Sequence, residues 1–209
     1  MEKQESILKL GLILAAICVA AAVALGTANW LTRDKIAAQR AKKQRQALEV
    51  VLPGASSFSA PITGTKINYY RGLDKNGKII GYAFAGASRG YSSLIRVMVG
   101  VDLNGEITGI EITEEKETPG LGTKSEEIPV GETLWEAIAG GGKKETTARP
   151  RFQTQFGGKT LEDLRVVTVP TDTNIEALTG ATITSRAVTR AVRESLEKFM
   201  GQTEKKNIK

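Results

Sequence analysis

From Leu10 to Trp30 the chain runs 21 residues without a charged side chain, built mainly of Leu, Ile, Ala and Val. At about 1.5 Å per residue a helix of that length spans roughly 31 Å, the hydrocarbon thickness of a bilayer. The span is read as a membrane anchor appended to one domain with a core of its own. A cleaved signal peptide is the competing reading, because Gly26-Thr27-Ala28 forms a small-residue cluster, but the apolar run exceeds the roughly 7–15 residues of a signal core. Trp30 suits a membrane interface. Cys18, the single cysteine, falls inside the span, so the rest of the chain can hold no disulfide, cysteine-ligated cluster or Cys-x-x-Cys redox pair. The expected organisation is a tail over 1–9, a transmembrane helix over 10–31, a juxtamembrane stalk helix over 32–52 stopped by Pro53-Gly54, one domain over 53–200 and a polar tail over 201–209.

The formal net charge of +6 does not describe the domain. Arg33, Lys35, Arg40, Lys42, Lys43 and Arg45, set against Asp34, put +5 into the stretch after the span, and the tail from Gly201 adds +2. Residues 46–200 are left at about −1. A nearly neutral domain has no face to track phosphates, which argues against nucleic acid as a partner. The basic stretch is read as lying against anionic headgroups or as a solvated helix face. Six cations after the span against Lys3 and Lys9 before it favour a cytoplasmic C-terminal domain by the positive-inside rule.

Within the domain, residues 74–84 and 102–112 share the pattern Asp-x-Asn-Gly-x-Ile-x-Gly. Asn-Gly between β-prone runs is a strong hairpin signal, and two hairpins in one antiparallel sheet are expected. Gly131 to Ile138 reads as a short helix and Leu164 to Val169 as a strand. Toward the end, Ala187, Val188, Ala191, Val192, Leu196 and Phe199 recur at three and four, with Gly201 placed as a stop, so an amphipathic helix should pack on the sheet. Sheet followed by helix points to an α+β domain.

Leu178 to Ser185 spells a Gly-containing, hydroxyl-rich turn at the start of that helix. Such a turn gathers unpaired N–H groups and the positive end of a helix dipole, which suits an anion, although local physics alone favours Thr184 or Ser185 acting as an ordinary N-cap. Gly140-Gly141-Gly142-Lys143-Lys144 lacks the Ser or Thr of a phosphate loop, and Gly120-Leu121-Gly122 is half a dinucleotide fingerprint, with Ser125 where the third Gly would stand. The chain has no His. With no His and only Cys18, the usual nucleophile and base pairs are missing, no catalytic residue or metal ligand is expected, and redox chemistry would need an organic cofactor.

The string Thr179-Gly180-Ala181-Thr182 resembles the flavinylation motif of the FMN-binding domain family; Glu117-Thr118-Pro119-Gly120-Leu121-Gly122 and Gln155-Phe156-Gly157-Gly158-Lys159 resemble two further motifs of that family, in the same order. The resemblance covers most of the chain. It implies covalent FMN joined through its phosphate to the Thr182 hydroxyl, with Thr179, Gly180, Ala181 and Thr184 around the phosphate and ribityl chain. Glu117, Thr118, Gly120, Leu121 and Gly122 would wall the ring, and Lys159 would counter the phosphate charge. It further implies an electron-relay component of an Rnf-type ferredoxin:NAD⁺ oxidoreductase coupled to ion transport, inactive alone, matured by a flavin transferase and partnered by the other membrane subunits. The family places the flavin domain outside the cytoplasmic membrane, against the positive-inside count. The equivalent component of the sodium-pumping NADH:quinone reductase, and a tethered scaffold without a redox role, are the alternatives. Two positions depart from the pattern: Glu176 stands where Asp is common, and Glu115 where His is common.

Overall fold

The computed structural model describes residues 2–118, 150–168 and 174–203. Two compact units emerge, Met1–Gln44 and Arg45–Lys209. The first belongs to a single helix, α1 (Glu2–Val51), in which the expected span and stalk run together without a break. Leu12, Ile17, Val19, Leu25 and Trp30 are all exposed, so this length of helix is apolar all round, as lipid contact requires. Thr27 Oγ1 donates to the Val23 and Ala24 carbonyls, which keeps its hydroxyl satisfied inside the apolar run.

The second unit is built on a five-stranded antiparallel meander of β1 (Ser57–Phe58), β2 (Tyr69–Leu73), β3 (Ile79–Arg89), β4 (Leu94–Asp102) and β5 (Ile107–Glu114), in spatial order of sequence. Both Asn-Gly hairpins form. Asp74 Oδ1 accepts from the N–H groups of Asn76 and Lys78, and Asp102 Oδ1 from those of Asn104 and Glu106. Gly77 and Gly105 take φ of +77° and +88°, the left-handed position that closes this kind of turn. A third hairpin, through Gly90 to Ser93, joins β3 to β4 and carries no Asn-Gly signal.

After a short helix, α2 (Arg151–Thr154), comes α3 (Thr182–Thr203), which packs on one face of the sheet with its predicted stripe of Ala187, Val188, Ala191, Val192, Leu196 and Phe199 buried against Phe84, Val97 and Val99. Ser185, Thr189 and Ser195 lie on the same buried side and donate back to carbonyls three or four residues earlier, so no hydroxyl is stranded. On the other face, Ala47, Leu48, Val51 and Leu52 pack with Ala83 and Met98. The end of α1 thus belongs to the domain core, and the boundary lies at Arg45, upstream of Pro53. Thr108 Oγ1 caps the helix by donating to the Val51 carbonyl (2.6 Å).

Three sequence expectations are corrected or fall outside. Of the strand expected over Leu164 to Val169, the described residues 164–168 form only β6 (Val166–Val167), parallel to β7 (Ile175–Glu176) in a separate two-stranded sheet, and Val169 lies outside the described residues. Gly201 does not stop α3, which continues to Thr203. Gln202 holds that end by accepting from the Lys66 and Ile67 N–H groups, an anchor that propensity alone does not foresee. The expected helix over Gly131 to Ile138 lies outside the described residues.

Candidate functional site

The first i→i−4 bond of α3 runs from Ser185 N–H to the Ala181 carbonyl (2.9 Å). Thr184 and Ser185 therefore sit inside the first turn, and neither caps the helix. Ser185 Oγ accepts from Leu178 N–H (3.0 Å) and donates to the Ala181 carbonyl (3.0 Å), which folds the preceding turn onto the helix. Thr184 Oγ1 donates to Glu117 Oε2 (2.8 Å). The N–H groups of Thr182, Ile183 and Thr184 precede the first helical bond and have no intrahelical carbonyl to reach, so the positive end of the dipole opens at this turn. Gly180, at φ +79°, makes the bend.

A cavity of about 440 Å³ lies over the turn, lined by Gly180 to Thr184 on one side and by Tyr91, Glu117 and Thr118 on the other. Its size falls among small-molecule sites. Thr182 is half-buried in the lining, whereas Thr184 is buried and already hydrogen-bonded and Thr179 is exposed outside it. Tyr91 and Ile183 are exposed and give the cavity an apolar rim.

Glu117 is 5% exposed and gathers five donors. Its Oε2 accepts from Tyr91 N–H and the Thr184 hydroxyl, and its Oε1 from Ser92 N–H, Ser93 N–H and the Ser93 hydroxyl. Burial pushes its pKa up, but the bonds from Thr184, Tyr91 and Ser93 outweigh it and hold the carboxyl below its usual range. Lys116 N–H to Ser93 Oγ (2.9 Å) and Ser92 Oγ to the Lys116 carbonyl (3.2 Å) lace the same two segments together.

The structure thus brings together Glu117, Thr118, Gly180, Ala181, Thr182 and Thr184. Gly120, Leu121 and Gly122 lie outside the described residues. Lys159 is not brought to the cavity. Its carbonyl accepts from Ile107 N–H at the start of β5, and the eight residues of that strand, roughly 26 Å, run from there toward Glu117. The third motif serves the site from behind: Gln155 Oε1 accepts from Glu176 N–H (2.7 Å) on β7, the strand that leads into the turn, and Phe156 is fully buried. Tyr91, Ser92, Ser93 and Ile183 were not foreseen. The interruption Gly90-Tyr91-Ser92-Ser93 between two long β-prone runs was the available signal.

Comparison with known proteins matches residues 90–197 to the FMN-binding domain and residues 1–51 to the RnfG N-terminal region. The G subunit of the Na⁺-translocating ferredoxin:NAD⁺ oxidoreductase complex of Acetobacterium woodii is 32% identical over 212 residues, covering 92% of this chain and 91% of that protein. The G subunit of the proton-translocating ferredoxin:NAD⁺ oxidoreductase complex of Clostridium ljungdahlii is 29% identical, covering 93% and 92%. Among solved structures, the crystal structure of Shewanella oneidensis NqrC aligns over 73% of this chain and 72% of that one, with a TM-score of 0.48 and 20% identity.

Proposed function

Given that the chain belongs to the FMN-binding domain family and to its RnfG branch, we propose that it carries FMN on Thr182 and relays electrons through it. The site's residues suit the group. The N–H groups at the first turn of α3, which have no intrahelical partner, and the bend at Gly180 match a phosphate, and the apolar rim of Tyr91 and Ile183 matches a planar ring. When bound, FMN supplies one- and two-electron chemistry. The chain's own residues bind its phosphate at residues 180–184, hold Glu117 and Thr118 beside the ring, and exclude water from the inner wall.

Thr182 carries this reading because, of Thr179, Thr182 and Thr184 around the turn into α3, it alone both lines the cavity and has its hydroxyl uncommitted to Glu117. A tethered scaffold whose Thr179–Thr182 turn merely caps the helix would leave the cavity over that turn without a use. The names of the relatives favour the Rnf-type complex over the quinone reductase. Anchored by α1, the domain works among the other membrane subunits of such a complex, on the extracytoplasmic side, after a flavin transferase has acted. Intact-mass measurement of the full chain matured with that transferase tests the proposal. An FMN-sized increment in the wild type and its loss in Thr182→Ala are expected; its absence from the wild type, or its survival in the variant, overturns the assignment.

A further inference from the structure

On the reading that FMN occupies the cavity, we propose that Glu117 is a positioning residue that braces the two walls of the flavin pocket and presents to the ring a fixed negative charge that lowers its potential. Three observations carry this. The carboxylate joins the Gly90–Ser93 loop to the first turn of α3, through three consecutive N–H groups on one side and the Thr184 hydroxyl on the other. A run of successive amides converging on one anion is a backbone nest, here filled by the chain's own side chain. Five donors meet the roughly four lone-pair sites of a carboxylate, so Glu117 has no capacity left to accept from a ligand or to take a proton without releasing a wall. Finally, among the described residues no Lys or Arg forms an ion pair with Glu117, and the groups that hold its charge there are neutral dipoles in a desolvated place.

Such a charge is weakly screened over the width of the cavity. Electrons added to the ring add negative charge beside it, which Glu117 disfavours. Glu117 therefore sets pocket shape and potential together, and does not act as a base.

Glu117→Gln keeps the size but replaces one acceptor oxygen by a donor and removes the charge. The full chain, matured with the transferase, is titrated with dithionite in the presence of mediators. In parallel, hydrogen exchange is read at Tyr91, Ser92 and Ser93 in protein prepared without flavin. Glu117→Gln is expected to raise the midpoint potential and to quicken exchange at those amides by about tenfold or more, from the loss of bonds to a charged acceptor. Thr184→Val should quicken exchange while leaving the potential nearer the wild type, because the charge stays. An unchanged potential in flavinylated Glu117→Gln overturns the electrostatic role, and unchanged exchange overturns the brace. If the wild type carries no flavin, the FMN reading fails, and the flavin-free exchange measurement still decides the brace. Should Glu117→Gln fail to fold, Ser93→Ala removes the hydroxyl donor, and wild-type exchange at Tyr91 and Ser92 in that variant overturns the brace.

Discussion

Thr184 Oγ1 and Glu117 Oε2, 67 residues apart in sequence, meet at 2.8 Å and close the wall of the cavity. The bond commits the Thr184 hydroxyl and leaves that of Thr182 to the lining, so two neighbouring threonines of one turn serve different ends.

Replacing Thr184 by Val should therefore cost stability without costing the cofactor. Loss of one hydrogen bond to a charged acceptor in a buried place is worth about 1.5–3 kcal/mol. Chemical denaturation of the full chain in detergent checks the loss, and intact mass checks that the FMN increment persists. A variant that keeps its stability but loses the flavin would make Thr184 the acceptor.

Gly90 should not tolerate a side chain. A Cβ there would lie 2.6 Å from Glu117 Oε1 and 2.7 Å from Ile95 Cδ1, and Glu117 is pinned by its five donors. Overpacking of this kind costs about 1–3 kcal/mol. Gly90→Ala should lower the thermal midpoint and loosen exchange at Tyr91 to Ser93, whereas Gly77→Ala, remote from the cavity, should leave that exchange as it is. Equal effects of the two on the loop would refute the contact.

Acid should weaken the domain through Glu117. Its folded pKa lies below the usual 4.5, so the stability it contributes is complete above about pH 4.5 and lost as the pH falls through the folded value. Thermal midpoints compared between the wild type and Glu117→Gln should differ most near neutral pH and converge in acid. A gap that stays constant below pH 4.5 would show that another group titrates there.

Sidedness is decided by a reporter active only after export, fused after Lys209. Activity is expected, with a cytosol-only reporter silent at the same place. The reverse pattern would mean that the cations from Arg33 to Arg45 govern orientation and that the proposed location is wrong.

Much of the fold was legible where the signal is local. Leu10 to Trp30 announces its helix by lacking charge, the Asp-x-Asn-Gly turns announce two hairpins, and the α3 stripe lies where its period puts it. Gly201 misled because a tertiary anchor at Gln202 overrides a weak stop signal. Of the site, the turn at 179–182 could be read, but the partners of Glu117 could not, since hydrogen bonds between residues 91, 117 and 184 leave no periodic trace. The charge of Lys159 suggests the phosphate, but its carbonyl engages Ile107 at the start of β5, the end of that strand opposite the one that leads to Glu117.

The meander has a temporal consequence as well. Strands β2 to β5 pair with their neighbours in sequence, so most of the sheet demands only short loop closures, whereas the Glu117–Thr184 contact must wait for a closure of 67 residues. A nascent or partly folded chain is expected to own its sheet before it owns its pocket. An enzyme that attaches a cofactor by reading the finished pocket would then pass over unfinished molecules, so that cofactor loading doubles as an inspection of folding.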